Sequence, residues 1–291
     1  MLKVLKFIFQ LIDVVIILVL MVLHFVIKEQ TFWSSLYFYV FPLPVIILII
    51  LALSVVLTKR WRLYNLKIAL ILLLIWLGRS FKIHIPDTIE ETDLEVVFWN
   101  ASRDNGLNEA IAINKGIPDV LVLLESKKNN LEELQAKYPD YYFYKSVRGI
   151  MIFSKTPLEI ISEETSKYNS TVVNFKTGGI NFYVVDVSGS TDVPRAWELG
   201  YVNKLIEKQE NTIIVGDFNV PYESKFLNPL KQQFNHAFNK KGNGFRETWA
   251  WGIPLLSIDH IWFSKDLKIL KTQKINTWKS DHSMINVIIN Q

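Results

Sequence analysis

The sequence contains no cysteine and little glycine or proline, with 12 Gly and 10 Pro among 291 residues. The absence of cysteine excludes a disulfide framework, a thiolate nucleophile and any zinc or iron–sulfur site built on cysteine. Half of the residues are hydrophobic, which excludes a disordered or collagen-like chain. The length is that of one or two domains.

The net charge of +4 is unevenly distributed along the chain. Residues 1–90 carry nine Lys or Arg against four Asp or Glu, whereas residues 91–291 carry 23 against 24. The first part therefore has a net charge of +5 and the second of −1. The basic character belongs to the N-terminal third, and the remainder lacks the overall positive charge typical of nucleic-acid-binding domains.

The N-terminal third is dominated by long hydrophobic segments. Residues 7–27 and 33–57 are each long enough to cross a bilayer, which needs roughly 20 helical residues. Residues 63–81 reach that length only if the charged ends of Lys67 and Arg79 extend to the membrane surface. The first segment is too long for a cleaved signal peptide, and a second follows it directly. We expect two or three transmembrane helices within residues 1–82.

Individual residues in and between these segments predict local structure and the orientation of the chain in the membrane. Pro42 and Pro44 should only kink the second helix, and Asp13 should be a neutral acid that faces a neighbouring helix. Lys and Arg precede the first segment and separate the second from the third, which places the N-terminus in the cytoplasm. If the third segment spans the bilayer, the rest of the chain is extracytoplasmic, as we expect. Otherwise it is cytoplasmic.

A linker at residues 83–93 leads to a region of alternating short strands and helices over residues 94–291. Its hydrophobic pattern predicts eight strands, at residues 95–99, 120–124, 149–153, 171–175, 181–187, 212–215, 258–263 and 284–289. It also predicts four helices, at residues 108–115, 130–138, 195–207 and 226–234. This pattern indicates a single α/β domain.

Polar residues stand where the predicted strands begin or end. In α/β folds such positions form ligand sites, because the sheet directs side chains from several strands into one crevice. Any one of these residues has a simpler explanation as a turn former or cap. The residues are Asn100, Glu125, Asp217, Asn219, Asp259, Asp281 and His282.

The order and local sequence of these residues resemble the endonuclease/exonuclease/phosphatase superfamily. The matching pieces are VVFWN, VLLES, RGIMIFSK, IIVGDFN, SIDHIWF and KSDHS, together spanning about 200 residues from residue 95 to the C-terminus. A closer similarity is to membrane-anchored bacterial members, on GDFNVPYES and ETWAWGIPLLSIDHIW. The resemblance implies a four-layered α/β sandwich of the DNase I type, two mixed sheets flanked by helices. It also implies a bacterial cytoplasmic membrane as the location.

The chemistry that the resemblance implies is metal-assisted hydrolysis of a phosphoester. Glu125, Asn100 and Asp281 would hold Mg²⁺ or Mn²⁺, since these ions prefer oxygen ligands. The family allows either Asp217 or His282 as the base, and we assign the base to Asp217. Asn219 would orient the attacking water or bind a phosphoryl oxygen. His282, kept cationic by Asp259, would donate to the phosphate, and Asn100 would also contact it.

The strand INFYVVDVSGS departs from the family pattern. It carries Ser188 where the family usually has a phosphate-contacting His or Tyr, and serine has no cationic form. The resemblance still implies a hydrolase, most simply a phosphodiesterase or nuclease. Because of Ser188, the alternative is a weakly active or inactive phosphate-binding domain. A lipid head group is the other substrate class, the bilayer is an expected partner, and no protein partner is inferable.

Two further groups of residues have no place in that chemistry. His260 alternates with Asp259 along a predicted strand and should point to the opposite face, as a packing residue. Five tryptophans are expected to be core residues rather than stacking or lipid-contacting ones. They are Trp197, Trp249, Trp251, Trp262 and Trp278.

Overall fold

The computed structural model describes residues 2–103, 105–126 and 130–290, and the chain divides into two compact units, Met1–Phe81 and Lys82–Gln291. The α-helices are α1 (Leu2–Met21, continued by a π-helical turn at Val22–Ile27), α2 (Phe32–Val40), α3 (Leu43–Ser54), α4 (Lys59–Ser80), α5 (Leu107–Asn114), α6 (Leu131–Lys137), α7 (Arg195–Leu205), α8 (Asn228–Gln233, preceded by a 3-10 turn at Lys225–Leu227) and α9 (Ala237–Lys241).

The strands all begin at or after Phe81. They are β1 (Phe81–Lys82), β2 (Leu94–Arg103), β3 (Val120–Ser126), β4 (Tyr142–Lys145), β5 (Met151–Ser154), β6 (Glu159–Thr165), β7 (Thr171–Thr177), β8 (Ile180–Asp186), β9 (Thr212–Asp217), β10 (Phe234–His236), β11 (Gly244–Phe245), β12 (Asp259–Ser264), β13 (Ile269–Ile275) and β14 (Met284–Ile289).

The first unit contains the apolar helices. Two helical stretches in the described part of the chain, Val4–Ile27 and Lys59–Ser80, are long and apolar enough to cross a membrane, with mean hydropathies of 2.7 and 1.5. A third candidate exists only if α2 and α3, which meet at a bend of 68°, are counted as one span. Residues 59–80, which reach spanning length from sequence only with their charged ends extended, therefore form a continuous helix, whereas residues 33–57 form two helices.

The break in the second segment has a local cause. Pro42 is the N-cap of α3 and Pro44 lies in its first turn, and neither can donate the backbone hydrogen bond that a continuous helix needs at these positions. The prediction of a mere kink was wrong, because the two prolines start a new helix. Asp13 does face a neighbouring helix, since the amide of Asn65 in α4 donates to its Oδ1 at 2.8 Å and both residues are buried.

The second unit contains two six-stranded mixed sheets flanked by helices. One has the order β10-β12-β9-β8-β7-β6 and the other β13-β14-β2-β3-β5-β4. Each contains one parallel pair, β8 with β9 and β2 with β3, and its other pairs are antiparallel. The architecture expected from the sequence is thus confirmed.

The main core lies between the two sheets. Alternate residues of β2 point to opposite faces: Val96 and Phe98 pack between the sheets, whereas Val97 and Trp99 pack in the outer cluster that includes Leu107 of α5. The inner layer draws on both sheets. Its fully buried members include Val122, Ile152, Val173, Phe182, Val184, Ile213, Val215 and Phe263.

Gly216 of β9 pairs with Val185 of β8 and has no room for a side chain. A Cβ atom at this position would lie 1.8 Å from the carbonyl oxygen of Val185, which is a backbone atom that cannot swing aside. We expect Gly216→Ala to lower the free energy of unfolding by about 3 kcal/mol, as measured by chemical denaturation. Gly200→Ala in α7 is the matched control, because its Cβ meets open space and alanine favours a helix. Equal stabilities of the two variants would contradict this explanation.

Two buried histidines, His236 in β10 and His260 in β12, form a hydrogen-bonded chain. The backbone N–H of Asn239 donates to His236 Nδ1 at 3.3 Å, His236 Nε2 lies 3.1 Å from His260 Nδ1, and His260 Nε2 lies 3.1 Å from the carbonyl of Val220. These distances are satisfied when both rings are neutral and protonated at Nε2. His260 therefore packs away from Asp259, as strand alternation predicts.

The same pair predicts how stability depends on pH. Burial lowers the pKa of His260 to about 3 and that of His236 well below its ordinary value. Above pH ~6.5 both histidines are neutral in the folded and the unfolded states, so their protonation does not change the free energy of unfolding there. Below that pH only the unfolded chain takes up protons, and stability should fall by about 1.4 kcal/mol per pH unit for each histidine. Denaturation between pH 4 and 7 tests this as a difference between proteins: relative to His236→Gln, the wild type should lose about 1.4 kcal/mol per pH unit as the pH falls. The raised pKa values of Asp186 and Asp217 act in the opposite direction, but they do so in both proteins.

Candidate active site

The candidate site lies at one edge of both sheets, where the parallel pairs end. Asn100 and Glu125 lie in the C-terminal parts of β2 and β3, while Asp186 and Asp217 end β8 and β9 in register with each other. The antiparallel neighbour β12 begins at Asp259, which pairs with Asp217. His282 lies just before β14, at the same edge. The strand order therefore brings together residues separated by up to 182 positions in the sequence.

Asp217 is buried and fixed in orientation by two donors. The backbone N–H of Asn219 donates to its Oδ1 at 2.9 Å, and the side-chain amide of Asn100 donates to its Oδ2 at 3.2 Å. Burial and the neighbouring carboxylate of Asp259 raise the pKa of Asp217 to about 8. A carboxylate with a pKa near neutrality is suited to accept a proton during catalysis.

Glu125 adopts a backbone conformation that is uncommon for its residue type, and Asn219 adopts the same one, which asparagine tolerates better than most residues. Their φ angles are +52° and +51°, in the left-handed region. Such conformations cost free energy and cluster at functional sites. The side-chain amide of Asn219 donates to the carbonyl of Val187 at 2.6 Å, which places it between β9 and the segment that carries Ser188.

Asp259 and His282 form a buried carboxylate–imidazole pair. His282 Nδ1 lies 2.9 Å from Asp259 Oδ2 and 3.1 Å from Oδ1. Burial alone would lower the pKa of His282, but Asp259 and the neighbouring carboxylates outweigh it and raise the pKa to about 10. The imidazole is thus a cation at neutral pH, with its Nδ1–H held by Asp259 and its Nε2–H available as a donor.

Asp281 is held by two donors on its two oxygens. The hydroxyl of Ser102 donates to Oδ1 at 2.6 Å, and Trp249 Nε1 donates to Oδ2 at 2.9 Å. Burial would raise the pKa of Asp281, but these bonds and the nearby His282 lower it. The carboxylate is therefore ionised, and each oxygen keeps a lone pair beyond its donor.

Ser188 lies at the rim of the site and is partly exposed. Its backbone N–H donates to Ser170 Oγ at 3.0 Å, and its carbonyl accepts from the guanidinium of Arg195. Its hydroxyl accepts from the backbone N–H of Ser190 at 3.3 Å. The serine backbone is anchored on both sides, so the position is well defined although its side chain is short.

The residues of the site concentrate negative charge. Asn100 Nδ2 also lies 3.4 Å from Glu125 Oε1, and burial together with the charge of Glu125 raises the pKa of Asp186 to about 7. Several carboxylates that raise one another's pKa in a partly buried cleft are a favourable environment for a divalent cation. Glu125 and Asn100 supply the hard oxygen atoms that such an ion prefers. The donor set therefore fits Mg²⁺ or Mn²⁺.

A second grouping of possible ligands overlaps the first. Among the described residues, Asp217, Asp259 and His282 each offer one ligand atom within 4.8 Å of the others. The protonated imidazole has no lone pair for a metal, and its Nδ1 is already engaged with Asp259. This grouping is better explained as a proton-transfer set than as the primary metal site.

The structure adds residues that sequence reasoning had not assigned. Asp186 ends β8 as Asp217 ends β9, and the parallel sequences VVD and VGD were the available signal. Ser102, Ser280 and Trp249 hold the Asp281–His282 turn, and Ser280 Oγ accepts from the backbone N–H of His282 at 3.0 Å. No sequence signal identifies Ser102, because its contacts with Ser280 and Asp281 connect residues far apart in the chain.

A fold of two mixed sheets with a carboxylate, an amide and a carboxylate–imidazole pair at one edge defines a class of phosphoester-hydrolysing proteins. Residues 97–282 match the model of the endonuclease/exonuclease/phosphatase family, and the chain belongs to that family. Members of this family are hydrolases that act on phosphoesters, typically with divalent metals. Comparison with curated protein sequences gave no match.

Solved structures confirm the DNase I-like fold. Three similar ones are D. rerio TDP2 complexed with single strand DNA product (16% identity, 69% of this chain and 100% of that chain, TM-score 0.51), a mannosyl-6-phosphatase from Bacteroides thetaiotaomicron (16%, 68% and 100%, 0.53) and an AP endonuclease from Archaeoglobus fulgidus (15%, 68% and 100%, 0.53). At these identities the similarity establishes the fold alone.

Proposed function

We propose that the protein is a membrane-anchored, divalent-metal-dependent phosphodiesterase of the nuclease/phosphodiesterase class. The observation that carries the proposal is the arrangement of Asp217, with a pKa near neutrality, beside the cationic His282 of the Asp259 pair. A base and a positively charged donor that face one cleft are what hydrolysis of a phosphate ester requires. Membership of the family supports hydrolysis of a phosphoester. That the substrate is a phosphodiester is our proposal.

In the proposed mechanism Asp217 takes a proton from the attacking water. The bonds from Asn219 and Asn100 hold its two oxygens in place for that transfer. His282 donates from Nε2 to a phosphoryl oxygen, and Asp259 keeps the ring cationic and correctly oriented. The side-chain amide of Asn219 has one N–H beyond its bond to the carbonyl of Val187, and we assign this N–H to a phosphoryl oxygen.

We assign the metal to Glu125 and Asn100, with Asp281 as a further ligand. The ion would polarise the phosphate and neutralise the charge that develops as the ester bond breaks. Glu125 supplies carboxylate oxygens, and its Oε1 lies 3.4 Å from the amide nitrogen of Asn100. Asp281 is ionised and can therefore act as an additional metal ligand, although Ser102 and Trp249 each already donate to one of its oxygens.

Ser188 provides a prediction about the rate. Its hydroxyl is too short to replace the cationic or phenolic donor that the family usually has at this position. We expect Ser188→His to raise kcat for an aryl phosphodiester by about tenfold, a fraction of the ~10²–10³ that one oxyanion donor supplies elsewhere. Ser190→His, two residues further along the same loop, is the control. An unchanged or lower rate in Ser188→His would show that another group already fills this role.

We further propose that the N-terminal unit anchors the protein in a bacterial cytoplasmic membrane, as in the membrane-anchored members of the family, with the catalytic unit extracytoplasmic. Two candidate spans, and a third if α2 and α3 act together, support the anchor. The distribution of Lys and Arg places the N-terminus in the cytoplasm, and the catalytic unit is then extracytoplasmic if α2 and α3 act as one span, which makes three spans in all. A reporter fused after residue 291 should be active only outside the cytoplasm, and a cytoplasmic signal would contradict the orientation.

A further inference from the structure

Three large apolar side chains are exposed on two loops of the second unit. Trp251 is 48% exposed, Ile253 58% and Trp278 84%, whereas Trp262 is fully buried. The expectation that the tryptophans are core residues was therefore wrong for Trp251 and Trp278, and also for Trp197 on α7, which is 58% exposed. Since each tryptophan presents a large apolar surface, exposure of several together has a cost in water.

The two loops lie beside the catalytic histidine and against each other. The backbone N–H of Trp251 donates to the carbonyl of Asp281 at 2.9 Å, next to His282 in sequence. A Cβ atom on Gly252 would lie 3.3 Å from the side chain of Asn276, so the loop with Trp251 packs against the loop with Trp278. We call the exposed side chains of Trp251, Ile253 and Trp278 the tryptophan rim.

The two loops of the tryptophan rim contain few charged residues. Residues 249–256 contain no charged residue, and residues 276–280 contain only Lys279, which is exposed. The adjacent acid, Asp281, directs its carboxylate to Ser102 and Trp249. An apolar surface with two tryptophans and an isoleucine complements the interface of a bilayer, where tryptophan rings are enriched.

We propose that the tryptophan rim docks onto a lipid bilayer and that the phosphodiester hydrolysed at this site belongs to a lipid head group. The second half of this proposal rests on the proposed function. Docking would place His282 and Asp217 within reach of head groups, because the rim adjoins the Asp281–His282 turn. The apolar helices of the first unit supply a reason for the catalytic unit to work next to a bilayer.

Single-stranded nucleic acid is the competing occupant, since bases stack on exposed tryptophan rings. Two observations favour the bilayer. Ile253 has no ring for stacking, and residues 91–291 have a net charge of −1, without the positive field that nucleic-acid binding normally needs.

The docking itself can be tested with a single fluorescent label, because the chain has no cysteine. The full-length chain carrying Trp278→Cys, labelled with an environment-sensitive dye, is reconstituted into phosphatidylcholine–phosphatidylglycerol vesicles. Gln209→Cys is the control, since Gln209 is exposed near the start of β9, the end opposite Asp217. Brominated lipids should quench the dye at position 278 and not at 209. Equal quenching, or none at 278, would overturn the docking proposal.

The substrate is tested separately by activity. The variant Trp251→Ala/Ile253→Ala/Trp278→Ala is compared with the wild type on a vesicle-borne lipid phosphodiester, a soluble aryl phosphodiester and a single-stranded oligonucleotide. We expect the ratio of the lipid rate to the soluble rate to fall at least tenfold. A fall in the oligonucleotide rate with an unchanged ratio for lipid would assign the rim to nucleic acid. Absence of any metal-dependent rate in the wild type would refute the proposed function, whereas label quenching would still decide the docking.

Discussion

Asp217→Asn is expected to lower kcat for phosphodiester hydrolysis by about 10³-fold, within the ~10²–10⁴ that a positioned general base supplies. The amide has the shape of the carboxylate but cannot accept the proton of the attacking water. Because the substitution leaves the metal ligands in place, KM should change by less than tenfold. Steady-state kinetics of the full-length chain at saturating Mg²⁺ measures both quantities.

The same substitution should stabilise the metal-free protein. Burial and Asp259 raise the pKa of Asp217 from its ordinary value to about 8, so the folded state resists ionisation of this group. The resulting destabilisation is absent below pH ~4 and grows as pH rises to about 8. Asp217→Asn removes this cost, but its NH2 group cannot accept the hydrogen bond from Asn219 or from Asn100 that the replaced oxygen accepted. We therefore expect a smaller net gain of about 2 kcal/mol at pH 7.5 in the presence of a chelator.

Asp186→Asn is the matched control for both effects. Asp186 pairs with Asp217 in register on the adjacent parallel strand, and burial with the charge of Glu125 raises its pKa to about 7. The Asp186→Asn substitution should therefore also stabilise the metal-free protein. Because Asp186 is not the proposed base, the substitution should lower kcat much less than Asp217→Asn does. If both variants lost activity equally, the assignment of Asp217 as the base would be wrong.

His282→Gln is expected to lower kcat by about 10²–10³-fold, as removal of an oxyanion donor does in other enzymes. Glutamine can donate a hydrogen bond but carries no positive charge. Asp259→Asn should cause a similar loss, because it removes the carboxylate that keeps His282 cationic. The two residues act as one unit, so the double variant should be only slightly worse than either single variant.

The pH dependence separates this pair from a merely structural one. A pKa of about 10 keeps His282 protonated through neutral pH, so the wild-type rate should not decline from loss of this proton until the pH approaches 10. In Asp259→Asn the pKa of His282 should fall, and the alkaline decline of kcat should begin at a lower pH. An unshifted pH profile in Asp259→Asn would contradict the role assigned to the pair.

The central strands were predictable from sequence, whereas the edge strands were not. All eight predicted strands are present, with boundaries shifted by a few residues, and each lies inside a sheet rather than at its edge. The four edge strands of the six-stranded sheets, β4, β6, β10 and β13, were missed, as was the short two-stranded pair of β1 and β11. An edge strand such as EIISEET in β6 is mostly exposed and lacks the continuous apolar run of a central strand such as VLVLL in β3.

The candidate site was predictable in its residues but not in its supporting contacts. Polar residues at strand ends come together when their strands are adjacent in a sheet. The family resemblance indicated which strands are adjacent. Ser102 and Trp249 could not be found in this way, because they reach Asp281 from segments 179 and 32 residues away. Exposure of Trp251 and Trp278 depends on loop packing, which composition does not reveal.

The most direct test of the central claim is hydrolysis of bis(p-nitrophenyl) phosphate by the purified full-length chain, with Mg²⁺ or Mn²⁺ and with a chelator, beside Asp217→Asn. The proposed site predicts turnover that requires the ion, that the chelator abolishes reversibly, and that falls about 10³-fold in the variant. Turnover that persists with the chelator, or that is equal in Asp217→Asn, would contradict a metal-dependent hydrolase that uses Asp217 as its base.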